Sequence, residues 1–149
     1  MKEIIKTTNS KEETMELGKS LAKKLPSGMT LTFSGDLGAG KTTFVRGLAE
    51  GLNIKEVVQS PTFNIMKIYL KGDRPLIHID AYRLADIDTD IGLDEYIGYE
   101  TGITVIEWPM YIERLIPKDA LEVEIHNLGN DKREIKFKIK DEGLLEMFK

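Results

Sequence analysis

The chain has 149 residues, of which 41% are hydrophobic and 31% charged, a composition typical of a globular protein with its own core and not of a disordered one. It contains no cysteine, which excludes disulfides and thiolate metal sites, and its net charge of −4 gives no overall positive field for strong nucleic-acid binding by the isolated chain. No segment approaches the roughly 18 apolar residues of a membrane span, and the first residues lack the apolar core of a signal peptide. We therefore expect one domain, residues 1–149, in the cytoplasm and not in a membrane.

Strand and helix signals alternate from the start of the chain. The segment EIIKT at 3–7 predicts a short strand. Ser10 and Glu13 form a capping-box pattern, after which apolar residues recur at helical spacing and predict a helix. The segment MTLTF at 29–33 predicts a second strand, and residues 45–52 carry the apolar stripe of a second helix. A glycine-rich loop therefore joins this strand to this helix.

The same alternation continues to the end of the chain. Further strands are predicted within 63–70, 75–79, 103–107, 120–128 and 133–139, and short helices around 92–99 and 109–115. This order indicates an α/β sandwich with a mixed, mainly parallel central sheet flanked by helices.

The loop at 35–42, GDLGAGKT, matches the phosphate-binding pattern G-x-x-x-x-G-K-S/T at every fixed position. Its glycines let backbone N–H groups converge, and the helix that begins at Lys41 adds the positive end of its dipole. The lysine neutralises terminal phosphates, and Thr42 is placed to offer its hydroxyl to Mg²⁺. A glycine-rich turn that only packs is the alternative, but strand, loop and amphipathic helix occur in the order that phosphate binding requires. The pattern predicts a P-loop NTPase-like protein.

Two acids follow apolar runs, Asp80 after LIHI and Glu107 after ITVI. If both strands flank the loop strand in a parallel sheet, both carboxylates emerge at its carboxyl edge, where one binds Mg²⁺ and the other positions water. The alternative is that either acid only caps a following helix or pairs with Arg83. His78 lies on the same strand face as Asp80, but a lone histidine is more often structural, and neither it nor His126 is assigned a role.

The segments GDLGAGKTTFVRGLAEGL, SPTF, HIDAYRL, LDEY and VIEWP occur in this order and closely resemble the TsaE family, formerly called YjeE. The resemblance covers nearly the whole chain. It implies a small Mg²⁺-dependent ATPase of threonylcarbamoyladenosine formation in tRNAs that read codons beginning with adenine. The family works with the proteins TsaB and TsaD, which transfer the threonylcarbamoyl group, so contact with tRNA is implied only through the complex.

The resemblance also implies roles for individual residues. Thr42 and Glu107 correspond to the residues that hold Mg²⁺, while Asp80 matches the family's essential acid near the γ-phosphate and acts with Lys41 in catalysis. The residues implied to wrap the phosphates of ATP are Gly38, Ala39, Gly40, Lys41, Thr42 and Thr43.

More distant segments carry weaker correspondences. The segment SPTF, Ser60 to Phe63, resembles a switch over the nucleotide, with Thr62 as its polar contact. Thr8 and Arg133 fall where the family contacts nucleoside or phosphate from the ends of the chain. Family members commonly read EWPE where this chain has Met110 in place of the last acid, so any role of that acid is not carried over.

Two other functions stay open, and two further features of the sequence have a structural interpretation beside a functional one. A small-molecule P-loop kinase would carry an arginine-rich lid, whereas the arginines of this chain are scattered singly, and a GTP-dependent switch would need an N-K-x-D segment, which does not occur. The alternating lysines at 136–140 indicate a half-buried strand with a solvated face, or else a contact with an acidic partner or tRNA. Trp108 and Tyr82 are interpreted as packing residues near the site, with partner contact as the alternative.

Overall fold

The computed structural model describes residues 2–35, 40–58, 65–84 and 92–148. The strands are β1 (Lys2–Thr8), β2 (Thr30–Gly35), β3 (Met66–Tyr69), β4 (Leu76–Asp80), β5 (Ile103–Glu107), β6 (Leu121–Gly129) and β7 (Lys132–Ile139). The α-helices are α1 (Lys11–Lys24) and α2 (Lys41–Gly51). Short 3₁₀ segments are Tyr82–Leu84, Leu93–Glu95, Pro109–Leu115 and Glu142–Phe148. Every predicted strand and both predicted long helices are present.

The seven strands form one mixed sheet in the order β1-β7-β6-β2-β5-β4-β3. The central strands β6, β2, β5 and β4 run parallel to their neighbours within that group, whereas β1, β7 and β3 pair antiparallel. The expected α/β class with a parallel centre is therefore confirmed. The prediction from the sequence assumes that the strands of Asp80 and Glu107, β4 and β5, both lie next to β2, which leads into the glycine-rich loop. This is wrong for β4, because β5 lies between β2 and β4. Both acids still reach one edge, since β4 and β5 are parallel and pair Asp80 with Glu107.

Helix α1 begins at the residue that its sequence predicts. Ser10 is the N-cap, and its hydroxyl accepts a hydrogen bond of 3.1 Å from the Glu13 N–H. The Glu13 carboxylate accepts from the N–H of Asn9 at 3.0 Å, one residue before the cap. The capping box thus satisfies backbone donors on both sides of the helix start.

The main core lies between one face of the sheet and the two α-helices. Alternate residues of the strands, among them Phe33, Val105 and Phe137, are buried there against Phe44 and Leu48 of α2. Because alternation continues to the strand ends, Asp80 and Glu107 share this helix-covered face. The fold therefore directs both carboxylates toward the side of the sheet from which α2 begins.

The opposite face is divided into an apolar half and a charged half. Ile77, Ile79 and Ile106 form a smaller cluster under the 3₁₀ segments. On the other half, Lys138 pairs with Glu124 at 3.5 Å and Lys140 with Glu122 at 3.1 Å. The half-buried strand with a solvated lysine face is observed, while its contact with a partner or tRNA stays a prediction. Within the described ranges no helix has the length and apolarity needed to cross a membrane.

Candidate functional site

One edge of the sheet gathers nearly all the described candidate residues. The carboxyl ends of β2, β4, β5 and β6 meet at this edge, and the antiparallel pairing of β7 and β1 brings the amino end of β7 and the carboxyl end of β1 to the same side. Asp80, Glu107, Arg133 and Thr8 all occupy these strand ends. Helix α2 starts above the same edge, which is where ligands of open α/β sheets bind.

The start of α2 is suited to an anion. Its N-cap is Gly40, whose φ of 100° lies in the left-handed region, and no side chain of the described residues caps the helix. The first turn also has no acidic residue. Its N–H groups are therefore open to a negatively charged ligand. Two predicted loop residues, Gly38 and Ala39, lie outside the described residues, while Thr42 and Thr43 stand half-buried in the first turn of α2.

The signature lysine rests on an aromatic cluster. The Lys41 Nζ lies 4.9 Å from the centroid of the Trp108 ring, and the residue is buried. The Trp108 ring contacts Tyr82 at 5.2 Å and Tyr111 at 6.4 Å between centroids. This packing supports the interpretation of Trp108 as a packing residue, and it keeps the ammonium group beside the acid edge through a cation–π contact. Tyr82 is 57% exposed, so partner contact stays open for it.

The two acids are neighbours with different surroundings. Asp80 and Glu107 are 8% and 7% exposed, so each carboxylate reaches solvent only at the edge. Asp80 Oδ1 accepts a hydrogen bond of 3.1 Å from the N–H of Tyr82, the first residue of a 3₁₀ segment. The contact expected if Asp80 only caps a following helix is therefore present. The Arg83 side chain lies outside the described residues.

Glu107 has a partner that sequence reasoning missed. Its Oε2 lies 2.7 Å from Nε2 of His78, which is fully buried. An ionised carboxylate only accepts hydrogen bonds, so we assign the tautomer in which Nε2 carries the proton and donates. The available signal was the position of His78, two residues before one acid and on the same face as both. Without the strand order, that position did not identify Glu107 as its neighbour.

The side of the α2 start that lies away from Asp80 and Glu107 is lined by charged and polar residues. Thr8 and Arg133 face each other across β1 and β7, and the Thr8 hydroxyl lies 2.6 Å from that of Thr14. Arg133 Nη1 donates to the backbone oxygens of Asn130 and Lys132 at 2.8 and 3.0 Å. A pocket of about 110 Å³ is lined by Lys11, Thr14, Gly40, Thr43, Asp131 and Arg133. The structure thus places Arg133 at the start of α2. Thr8 is connected to the same place by its hydrogen bond to Thr14, which lines the pocket.

The donor set fits Mg²⁺ only together with phosphate. Among the described residues no group of three His, Asp or Glu side chains is arranged to hold a metal. Mg²⁺ usually binds one or two carboxylates, substrate phosphates and water, and Glu107 with the Thr42 hydroxyl suits that pattern. The segment Ser60 to Phe63 with Thr62 lies outside the described residues. The next described residue, Ile65, contacts one of the acids, because its backbone oxygen accepts a hydrogen bond of 2.7 Å from the Asp80 N–H.

A strand, a Gly-Lys-Thr helix start and two carboxylates at the carboxyl edge of a parallel sheet define a P-loop NTPase-like α/β protein. Residues 8–135 match the sequence model of the family described as "Threonylcarbamoyl adenosine biosynthesis protein TsaE". The chain belongs to the TsaE family.

Individual relatives agree with this assignment. The tRNA threonylcarbamoyladenosine biosynthesis protein TsaE of Bacillus subtilis is 46% identical over 137 residues, which cover 92% of this chain and 86% of the relative. The protein of the same name from Treponema pallidum is 38% identical over 130 residues, covering 86% and 95%. The crystal structure of Bacillus subtilis YdiB superposes with a TM-score of 0.84 at 38% identity, covering 99% of this chain and 92% of that one.

Proposed function

We propose that this chain is the Mg²⁺-dependent ATPase of threonylcarbamoyladenosine formation in tRNA, slow alone and coupled to TsaB and TsaD in the cytoplasm. The observation that supports this most is the meeting of Lys41, Asp80 and Glu107 at the sheet edge where α2 begins without a described side-chain cap. Contact with tRNA is made through the complex, since the chain's net charge of −4 offers no overall attraction to a polyanion.

Each residue has a role in this proposal. The N–H groups of the loop and of Thr42 and Thr43 bind the phosphates, and Lys41 leaves the Trp108 face to neutralise them. Glu107 and the Thr42 hydroxyl hold the metal, which when bound offsets charge on the phosphate oxygens. Asp80 orients the attacking water near the γ-phosphate. Arg133 and Thr8 contact the remaining nucleotide from the basic side.

The contacts of Arg74 and Arg46 support an ATPase over a kinase, and Arg133 is a single arginine at the site. Arg74 donates to the carbonyl oxygens of Leu25 and Ala22, both at 2.6 Å, at the end of α1. Arg46 donates through Nε to the carbonyl of Val58 at 3.0 Å. These guanidinium groups hold backbone and do not form the lid that a small-molecule kinase would use to hold a transferring phosphoryl group.

Replacement of Lys41 tests the proposed binding site directly. Lys41→Ala removes a charge-assisted contact to phosphate, which contributes about 1.5–3 kcal/mol and corresponds to roughly 10- to 100-fold in affinity. We expect calorimetry to show ATP binding weakened by that factor or lost, while circular dichroism shows an unchanged fold. Lys19→Ala, a half-buried lysine of α1 away from the edge, is the matched control. Equal ATP affinity of Lys41→Ala and the parent would show that the lysine does not bind phosphate.

A nucleotide panel tests which ligand the site prefers. A ligand that binds only the folded chain raises its unfolding temperature. We expect ATP with Mg²⁺ to give the largest increase in thermal shift measurements, and GTP a smaller one. A larger increase with GTP would contradict the assignment of ATP.

A further inference from the structure

We propose that His78 is a positioning residue that orients the Glu107 carboxylate for the metal. The inference rests on the proposed function, because it concerns how this chain presents a carboxylate to Mg²⁺ held with a nucleotide. It assigns a task to a side chain that lies beneath the site and cannot contact the nucleotide itself, since the residue is 0% exposed.

The geometry connects the imidazole to one carboxylate oxygen. Strands β4 and β5 are parallel, so His78 lies opposite Val105 and reaches Glu107 two residues further along the same face. The Nε2–Oε2 distance of 2.7 Å is that of a charge-assisted hydrogen bond. A glutamate side chain has several rotatable bonds, and this contact fixes Oε2 and leaves Oε1 for the metal. Partners of this type, which orient a metal ligand without touching the metal, recur in metal sites.

The other ring nitrogen gives the histidine a cost that an apolar core residue would not have. With the proton on Nε2, Nδ1 is an acceptor, and this buried atom has no hydrogen-bond partner among the described residues. Burying an unpaired acceptor costs about 1–3 kcal/mol. Its neighbours Leu76 and Val105 are aliphatic core residues of the same face, so an apolar side chain at position 78 would avoid that cost. The contact that only the histidine provides is the one with Glu107.

Two variants separate positioning from packing. His78→Leu removes the donor and the unpaired acceptor together, whereas His78→Gln retains an amide N–H able to donate to Glu107. Thr30→Val is the matched control, because Thr30 Oγ1 is also buried without a partner among the described residues but belongs to β2. Calorimetry with a non-hydrolysable ATP analogue at increasing Mg²⁺ gives the metal concentration for half-maximal tightening, a measurement independent of hydrolysis.

We expect His78→Leu to raise that Mg²⁺ concentration about 10- to 100-fold, the usual effect of losing such a partner. Binding of the analogue without metal should stay at the parental value. His78→Gln should return the Mg²⁺ requirement toward that of the parent, and Thr30→Val should leave it unchanged. Parental Mg²⁺ dependence in a folded His78→Leu would overturn the inference and leave the proposed function standing. No Mg²⁺ dependence in the parent would instead refute the proposed function, and the inference with it.

Nitrogen NMR of the parental chain provides a test that needs no folded His78→Leu. The inference requires a proton on Nε2, and a change in the Nε2 signal when Glu107→Ala removes the acceptor. An Nε2 without a proton, or a ring signal unaffected by Glu107→Ala, would show that the hydrogen bond does not exist in solution.

Discussion

Asp80 and Glu107 differ at the level of the single residue in what holds them. Glu107 is bonded to a buried imidazole in the sheet, while Asp80 bonds the N–H of Tyr82 at the start of a 3₁₀ segment. The backbone of Asp80 is also held by a different kind of contact. The Asp80 N–H donates to the backbone oxygen of Ile65, two residues after the SPTF segment in the sequence. A carboxylate fixed within the sheet is suited to holding a metal, and one at a strand end that leads into a 3₁₀ segment is suited to positioning water.

Replacing the two acids separately should therefore give different kinetic effects. We expect Glu107→Ala to weaken Mg²⁺-dependent nucleotide binding. Asp80→Ala should mainly impair hydrolysis or its coupling to the partners, lowering the rate by about 10²–10⁴, as loss of a positioned general base does. Calorimetry and steady-state phosphate release measure the two effects.

Asp80→Asn is the matched variant, because an amide oxygen still accepts the Tyr82 N–H while the charge is lost. It should be as slow as Asp80→Ala if charge, and not the turn, is what hydrolysis needs. If Glu107→Ala kept its Mg²⁺ dependence and Asp80→Ala lost it, the two roles would be exchanged.

Thr30 of β2 and Thr104 of β5 are cross-strand neighbours. We expect replacement by valine to change the stability of the protein in opposite directions at these two positions. The hydroxyl of Thr30 has no partner among the described residues, whereas that of Thr104 donates to Tyr96 O at 3.4 Å and accepts from Gly98 N–H at 3.3 Å. Thr30→Val should raise stability by about 1 kcal/mol, or about 3 °C in unfolding temperature, and Thr104→Val should lower it by a similar amount. Thermal unfolding of both variants decides this, and shifts of the same sign would contradict it.

The sequence predicted candidate residues that a local pattern marks, and it could not predict contacts between residues far apart along the chain. Lys41, Thr42 and both acids follow from a loop signature and from apolar runs ending in a carboxylate. The bond from His78 to Glu107 joins residues 29 positions apart and depends on which strands are adjacent. A lone histidine in an apolar run has many structural explanations, so its neighbour had to be observed.

The contact between the two α-helices shows how elements are fitted together. A Cβ added to Gly47 of α2 would collide with the backbone oxygen of Met15 in α1, and one on Gly51 would lie 2.5 Å from that of Lys19. The glycines therefore let the two helix backbones approach closely at more than one turn.

Gly47→Ala reverses the usual effect of alanine in a helix. Helix propensity alone would favour alanine by about 0.5–1 kcal/mol. Because the backbone of α1 blocks the new methyl group, we expect a net loss of stability of about 1–3 kcal/mol, the range for overpacking. Chemical denaturation measures this, with Glu50→Ala as the control, an exposed site of the same helix whose surface ion pair with Lys19 contributes only about 0–1 kcal/mol. A stabilised Gly47→Ala protein would show that the helices can separate without cost.

Strand order is the part of the element arrangement that the sequence did not reveal. The alternating pattern predicted each strand and the parallel centre, because period-two burial and strand-to-helix succession are local signals. It did not reveal that β5, late in the chain, lies between β2 and β4. The position of a strand depends on crossover connections and on which faces they cover, and neither is encoded near the strand itself. The two carboxylates still converge, since parallel strands end at one edge.

At the scale of the whole molecule, charge is distributed by sheet face and edge. Lys138 of β7, and Lys140 just after that strand, pair with glutamates of β6 on the face away from the α-helices. Exposed pairs of this kind contribute about 0–1 kcal/mol each, so they leave the lysines available to other partners at little cost. At the ligand edge, Arg133 and Lys11 stand on one side of the α2 start and the acids on the other. The proposed phosphate site thus lies between two acids on one side and, on the other, a mixed flank in which Lys11 and Arg133 outnumber Asp131.

The whole-molecule prediction is that the purified chain hydrolyses ATP slowly and that TsaB with TsaD changes the rate. In the proposed function the loop, Lys41, Thr42 and Glu107 serve ground-state binding of the phosphates and metal, while Arg46 and Arg74 are engaged with backbone carbonyls. An arginine that meets the charge developing on the γ-phosphate contributes about 10³ to 10⁵ in rate where an enzyme has one. No sequence motif of this chain places such an arginine, so the isolated protein should be a weak enzyme.

Partners can correct this deficiency by ordering the SPTF segment over the nucleotide or by supplying the missing group, and both changes act on the transition state more than on binding. Steady-state phosphate release by the chain alone, and with TsaB and TsaD, measures the effect, with Asp80→Ala excluding contaminating ATPases. We expect the partners to alter the maximal rate more than the apparent affinity for ATP. A fast isolated enzyme that is indifferent to both partners would contradict the coupling and favour a free-standing ATPase or a kinase, because the transition-state groups would then all belong to this chain.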